Sequence, residues 1–228
     1  MIVIYRALDD SRRYTFADVK SNAQAFGEAL RERWRWRRGD VLSVIATNDA
    51  DYGVCVYGAL YAGGVVAPAN PDYSASDLAH MLVDAGAKAV ITQEPLVPMV
   101  REACNIAGLP HSRIILMGTS AGRQDSVMHF LDLAQQAPHP YKGKKRLDPD
   151  KDLAFLAYSS GTTGLPKGVM LSHSNIISDV LMVRNSVGGS YSWRQDKILG
   201  VLPFYHIYGE HSMWSQRQRL VLPLIYDL

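Results

Sequence analysis

The chain has 228 residues, 47% hydrophobic and 20% charged, which suits one large domain or two small ones with a core of ordinary size. With 24 Lys and Arg against 22 Asp and Glu, the net charge is +2, a balance with no general pull toward nucleic acid or a membrane surface. Two cysteines, Cys55 and Cys104, cannot build a disulfide framework, and no apolar run approaches the roughly 20 residues of a membrane span.

Thr15 with Asp18 makes a capping-box pattern. Phe16, Val19, Ala23, Phe26, Leu30 and Trp34 follow at helical spacing, and Gly39-Asp40 closes the unit. Residues 41–47 form a short apolar run, read as a buried strand. Asn48 and Asp49 are placed to cap a second helix through Tyr52, Val56, Ala59 and Leu60, stopped by Gly63-Gly64. Val65-Val66-Ala67 reads as a strand closed by Pro68. Ser74 with Asp77 repeats the capping pattern, Leu78, Met81, Leu82 and Ala85 follow, and Gly86 sits where a C-terminal cap belongs. Residues 89–92 and 113–117 are strand-like, with a weaker helix over 98–107 between them.

Strands alternating with helices imply an α/β fold of largely parallel sheets with flanking helices. Residues 119–150 break the rhythm. Pro138, Pro140, Gly143 and Pro149 flank the basic run Lys142-Gly-Lys-Lys-Arg146, so this stretch is read as a surface linker between a first lobe, 1–118, and a second, 151–209. In the second lobe, residues 153–158 form a buried strand that runs into a glycine-rich loop. A helix over 175–187 and a strand over 198–202, ending at Pro203, are expected beyond it.

The loop carries the first chemical signal. Gly161, Gly164 and Gly168 let the backbone turn and approach a ligand. Ser159, Ser160, Thr162 and Thr163 offer clustered hydroxyl donors, and Lys167 offers a positive charge for a polyphosphate. The common nucleoside-triphosphate loop needs Gly-Lys-Ser/Thr in sequence, whereas here Pro166 precedes Lys167 and Gly168 follows it. The glycine spacing of the dinucleotide fingerprint is absent too. A surface turn of small polar residues is the plain alternative.

Tyr158-Ser-Ser-Gly-Thr-Thr-Gly-Leu-Pro-Lys-Gly-Val-Met-Leu-Ser-His173 resembles the AMP-binding signature of the adenylate-forming superfamily. Arg38-Gly-Asp-Val-Leu42, Ala62-Gly-Gly-Val-Val-Ala-Pro-Ala-Asn70 and Arg113-Ile-Ile-Leu116 also resemble its amino-terminal half. The strongest similarity is to fungal ligases of the 4-coumarate–CoA ligase-like type, which often serve secondary metabolism. The resemblance implies activation of a carboxylic acid, aryl or medium-chain, by ATP. An acyl-adenylate forms, and coenzyme A then displaces AMP, with Mg²⁺ as the metal. It implies that Ser159, Ser160, Gly161, Thr162, Thr163, Gly164 and Lys167 hold the β- and γ-phosphates.

Leu202-Pro-Phe-Tyr-His-Ile-Tyr-Gly209 resembles a second signature of the same family. It implies a catalytic His206 that positions the reacting carboxylate or gates the acyl pocket, with Tyr208 and Gly209 at that pocket. Taken alone, His206 among aromatics reads as a packed, hydrogen-bonded side chain. His206, Glu210 and His211 lack the spacing of a zinc hydrolase, and no metal ligands are assigned. His173 and Ser174 are read as starting or capping the next helix. Arg31, Arg33, Arg35, Arg37 and Arg38 interleave with Trp34 and Trp36, which can mark a nucleic-acid site. Cations at a helix C-terminus with tryptophans against the sheet is the preferred reading.

The later segments of the family, including its carboxyl-terminal domain, have no counterpart in this sequence; in the atypical tail 210–228, residues 210–219 are polar where the family continues with an apolar helix, and 221–225 are apolar without a clear helical period. The expectation is that a truncation, splice change or frameshift alters the chain near Gly209. Two alternatives to an active ligase stand beside it: a catalytically inactive remnant with weak nucleotide binding, and an unrelated phosphate-binding α/β protein. The expected setting is cytoplasmic, with a small carboxylic acid as partner and neither nucleic acid nor membrane.

Overall fold

The computed structural model describes residues 3–6, 12–119, 127–136, 147–159, 166–187, 199–207 and 209. A short antiparallel ribbon, β1 (Val3–Arg6) and β2 (Arg13–Thr15), leads into α1 (Phe16–Trp34). The capping box read from sequence is formed. Thr15 Oγ1 accepts the Asp18 N–H at 3.2 Å, and Asp18 Oδ2 accepts the Thr15 N–H at 2.8 Å. The Thr15 hydroxyl, which donates to Asp18 Oδ2 at 2.6 Å, and then the Thr15 N–H hold the Asp18 carboxyl below its usual pKa. The helix ends at Arg35, which takes a left-handed conformation with φ 50°.

Parallel strands then alternate with helices: β3 (Val41–Ile45), α2 (Tyr52–Tyr61), β4 (Val65–Ala69), α3 (Ala75–Asp84), β5 (Ala87–Gln93), α4 (Val97–Ala107) and β6 (Ile114–Met117). After these come β7 (Met128–His129), α5 (Phe130–Gln135), β8 (Leu153–Ser159), β9 (Lys167–Ser172) and α6 (His173–Val187). Seven strands make one sheet in the order β7-β6-β5-β3-β4-β8-β9. Every pairing in it is parallel except that of β8 with β9.

The layering follows from strand alternation. Leu42 and Val44 join one core cluster with Phe26 of α1, Val56 of α2 and Phe130 of α5. Ile45 joins another with Leu78 of α3 and Val100 of α4. Helices therefore cover both faces, and all five residues of β3 are buried, as a parallel strand requires. Trp36 is buried, with the Lys88 ammonium 5.5 Å from its ring, and Arg113 lies 5.0 Å over the Trp34 ring. In the arginine-rich stretch the two tryptophans pack within the fold and Arg31 and Arg38 pair with carboxylates, while Arg33, Arg35 and Arg37 are exposed. Arg31 bonds Glu28 at 2.5 Å, and Arg38 bonds Asp152 at 2.5 Å.

Several expectations need correction. The strand at 41–47 ends at Ile45. Pro68 does not close β4, which continues to Ala69 with Pro68 beside Val44. The stretch read as a linker contains β7 and α5 among its described residues, and Phe130 and Leu133 are buried there. A two-residue strand and a six-residue helix are too short to show a period in sequence. The strand β9 was absorbed into the loop and helix. The strand expected at 198–202 is not formed in its described part, where Leu199, Val201 and Leu202 are exposed. No described strand pairs with that segment.

One buried carboxylate links the ends of several elements. Asp51, fully buried, accepts the Tyr14 hydroxyl at 2.6 Å and the Gly118 N–H at 2.8 Å, and it pairs with Arg12. Asp49 shares that arginine, accepting Nη2 at 2.8 Å, and also accepts the Asp51 N–H at 2.8 Å. Burial first, and then the adjacent Asp51 charge, push the Tyr14 phenol far above its usual pKa. Asp51→Ala strands the phenol and an amide in the interior and leaves Arg12 paired with Asp49. We expect a loss of about 3 kcal/mol or more in urea unfolding. A loss below about 1 kcal/mol, the scale of an ordinary surface change, would contradict this role.

Candidate functional site

In a parallel sheet the strands end on one edge, where open α/β folds bind ligands. Ile45, Ala69, Gln93, Met117 and Ser159 end β3, β4, β5, β6 and β8 on that edge. Because β9 runs antiparallel, its first residue, Lys167, returns to the same edge. Ser159 pairs with Lys167, and Tyr158 pairs with Gly168. The glycine-rich loop therefore springs from a hairpin neck and does not lead straight into a helix. Ser159 and Lys167 are both exposed. Ser160, Gly161, Thr162, Thr163 and Gly164 lie outside the described residues.

The neck is braced by Tyr158. Its hydroxyl donates to Asp84 Oδ2 at 2.6 Å, at the end of α3. Burial first, then that bond, raise the phenol well above its usual pKa. Its ring crosses Gly168, where a Cβ would stand 3.1 Å from the ring carbon Cζ. The glycine thus admits the aromatic ring across the strand pair.

The His206 segment comes to the same edge. Residues 199–207 lie as a turn-rich stretch over the end of β3. Asn48, three residues beyond β3, donates through Nδ2 to the Gly200 carbonyl at 3.0 Å and the Leu202 carbonyl at 2.8 Å. Its Oδ1 accepts the Phe204 N–H at 2.7 Å. The Phe204 ring meets Tyr52 edge-on at 5.7 Å. The His206 N–H donates to the Pro203 carbonyl at 3.1 Å, closing a turn that leaves the His206 side chain exposed. Gly209 is buried against this turn, where a Cβ would meet the Pro203 oxygen at 1.9 Å, so no larger residue fits. Tyr208, Glu210 and His211 lie outside the described residues.

Between β3 and β5 the chain reverses its winding direction across the sheet, making a crevice at the same edge. The Gln93 side-chain oxygen accepts the Thr47 N–H at 3.0 Å and its hydroxyl at 2.8 Å, bridging the crevice floor. A cleft of about 350 Å³ lined by Arg38, Gly39, Asp152 and His173 opens at the opposite edge, where strands begin, and is separate from this site.

The sequence pattern of the AMP-binding enzyme family matches residues 2–216. This chain belongs to that family. It is 33% identical over 184 residues to the probable 4-coumarate–CoA ligase 1 of Dictyostelium discoideum, a match covering 76% of this chain and 33% of that protein. It is 28% identical over 240 residues to the long-chain-fatty-acid–CoA ligase of Bacillus subtilis, covering 94% of this chain and 41% of that protein. Among solved structures, a long-chain-fatty-acid–CoA ligase of Archaeoglobus fulgidus shares the fold with a TM-score of 0.79 at 21% identity, over 98% of this chain and 42% of that one. The O-succinylbenzoate–coenzyme A synthetase of Bacillus subtilis, in complex with AMP, does so with a TM-score of 0.73 at 21% identity, over 99% of this chain and 50% of that one. The chain thus spans about a third to two fifths of the curated relatives it matches.

Within this family fold, the sequence located the loop and the histidine motif but not their supports. The sequence suggests Asn48 as a helix cap, yet α2 starts at Tyr52 with Asp51 at the cap position and no side-chain cap bond, and only Asp49 of the expected pair accepts an amide there. A contact spanning 156 residues has no local signature. His173 starts α6 as expected and is 2% exposed. Burial lowers its pKa below the ordinary 6.5, and the Asp152 charge opposes the shift only in part.

The folded state therefore binds this proton less readily than the unfolded chain. Stability should hold above about pH 6.5, the unfolded value, and fall as pH drops toward the lower folded value. Thermal unfolding between pH 7.5 and 5 should show that decline in the wild type and a weaker one in His173→Gln. Equal slopes would remove His173 as its source.

Proposed function

We propose that this chain supplies the ATP-gripping part of an enzyme that activates a small carboxylic acid, aryl or medium-chain, and passes the acyl group to coenzyme A. The observation that carries this reading is the convergence of two motifs on one sheet edge. The Ser159–Lys167 neck lies at the end of β8, and the His206 turn lies over the end of β3. The named relatives, 4-coumarate–CoA and long-chain-fatty-acid–CoA ligases, support the reaction class.

In the first half-reaction a carboxylate oxygen attacks the α-phosphorus of ATP. The bond from that phosphorus to the bridging oxygen breaks, and pyrophosphate leaves. In the second, the coenzyme A sulfur attacks the acyl carbon and AMP leaves. Charge builds on phosphate oxygens in the first step, so donors fixed beforehand lower its barrier. We assign that task to the Lys167 ammonium, the hydroxyls of Ser159, Ser160, Thr162 and Thr163, and the flexible backbone at Gly161 and Gly164. His206 orients the incoming carboxylate, with Tyr208 and Gly209 beside the acyl group.

Mg²⁺ would neutralise part of the triphosphate charge. Among the described residues no three His, Cys, Asp or Glu side chains gather to hold a metal, so the described part of the chain offers no cage for it. No described helix is long and apolar enough to cross a membrane. We read the setting as cytoplasmic, where the free, buried thiols of Cys55 and Cys104 stay reduced.

Calorimetry with AMP and ATP tests the loop. Lys167→Ala should weaken ATP binding about tenfold or more, the scale of one charge-assisted contact, and unchanged affinity would sink the assignment. ATP–pyrophosphate exchange with a panel of aryl and medium-chain acids tests the chemistry. Exchange with at least one acid is expected, and none with any acid would refute catalysis by this chain.

A further inference from the structure

We infer that Asn48 is a positioning residue for the His206 turn, fixing it at the end of β3, on the sheet edge that also carries the Ser159–Lys167 neck. The inference rests on the functional reading above, but its geometry stands independently. Asn48 is half-buried, and both its side-chain Nδ2 and its Oδ1 bond into one segment. Its amide is used as donor and acceptor at once, so the pattern specifies Asn and not an isosteric Asp or Leu.

Three features tie this contact to the turn. The two carbonyls and the N–H it engages belong to Gly200, Leu202 and Phe204, which bracket Pro203, and the Pro203 carbonyl accepts the His206 N–H. The Phe204 ring is locked from two sides, by Tyr52 at 5.7 Å and by Gly200, where a Cβ would stand 2.9 Å from that ring. The segment has no strand pairing among the described residues, and Leu199 and Val201 are exposed, so the sheet does not hold it by backbone bonds. Side chains hold it instead, Asn48 beyond β3 by hydrogen bonds and Tyr52 of α2 by ring contact. Asn48 follows β3, all five residues of which are buried, so the anchor springs from the core.

The whole chain is used for the test, as wild type, Asn48→Ala and Asn48→Asp. Amide hydrogen exchange is read at Phe204, with Ile91 of β5 as the core reference. Modification of His206 by diethyl pyrocarbonate is read by mass spectrometry with and without AMP. In Asn48→Ala, Phe204 should exchange at least tenfold faster while Ile91 and the melting temperature hold. Asn48→Asp keeps the acceptor for Phe204 and loses both donors, so its Phe204 exchange should be intermediate.

AMP should shield His206 in the wild type and shield it several-fold less in Asn48→Ala. Unchanged Phe204 exchange in Asn48→Ala overturns the inference. So does acceleration of Phe204 and Ile91 together, which would make Asn48 a general stabiliser. Equal shielding of His206 in wild type and Asn48→Ala also overturns it. If AMP binds no form of the protein, the proposed function fails, and Phe204 exchange alone still decides the role of Asn48.

Discussion

A carboxylate withdrawn from water is tolerable only when its lone pairs are occupied and its charge is answered. At Asp51 that requirement draws together the entry to α1, the start of α2 and the exit from β6, through Tyr14, Arg12 and the Gly118 amide. His129, which caps α5, closes the group. Its Nδ1 accepts the Leu131 N–H at 3.3 Å, which leaves Nε2 to donate to the Gly118 carbonyl at 3.1 Å. Four elements from distant parts of the sequence thereby share one polar knot. The knot sits at the sheet edge where the strands end, so it sets the frame on which both motifs are displayed.

The remaining architecture follows from sheet direction. Parallel strands must be joined by crossovers, and the helices of those crossovers cover both faces. That leaves the edges as the places where polar chemistry can face solvent. One edge carries strand starts and the Arg38–Asp152 pair, and the other carries strand ends, the loop neck and the His206 turn. Because β8 and β9 form a hairpin, both ends of the glycine-rich loop are held by strand pairing. Because the His206 turn has no such pairing among the described residues, side chains must hold it instead.

What the sequence revealed followed the range of the forces involved. The capping box at Thr15 and the side-chain cap at Ser74 act over three residues and were legible. So was the apolar run of β3, whose burial on both faces needs no period. The elements α5 and β7 were not, because six and two residues cannot display a repeat. β9 was hidden by its own residues: Val169 and Met170 are exposed, so the strand lacks the alternation that a half-buried edge normally shows. At the site, the loop and His206 were found through motif and resemblance. Their supports, Tyr158 on Asp84 and Asn48 on Phe204, are contacts spanning 74 and 156 residues, which no window of sequence contains.

The antiparallel neck also separates two kinds of change that the family can undergo. Side chains on a strand alternate between faces, so adding or deleting one residue within β9 turns each residue on one side of the change to the opposite face. An insertion between Gly168 and Leu171 would thus break the match of Gly168 with Tyr158, or that of Leu171 with Phe155. Residues added beyond the neck leave that register untouched, since the Ser159–Lys167 pair fixes the ends whatever lies between. Loop length and loop anchorage are thereby decoupled. Drift in the length of the glycine-rich loop is compatible with a fixed lysine, whereas drift in the strand that follows is not.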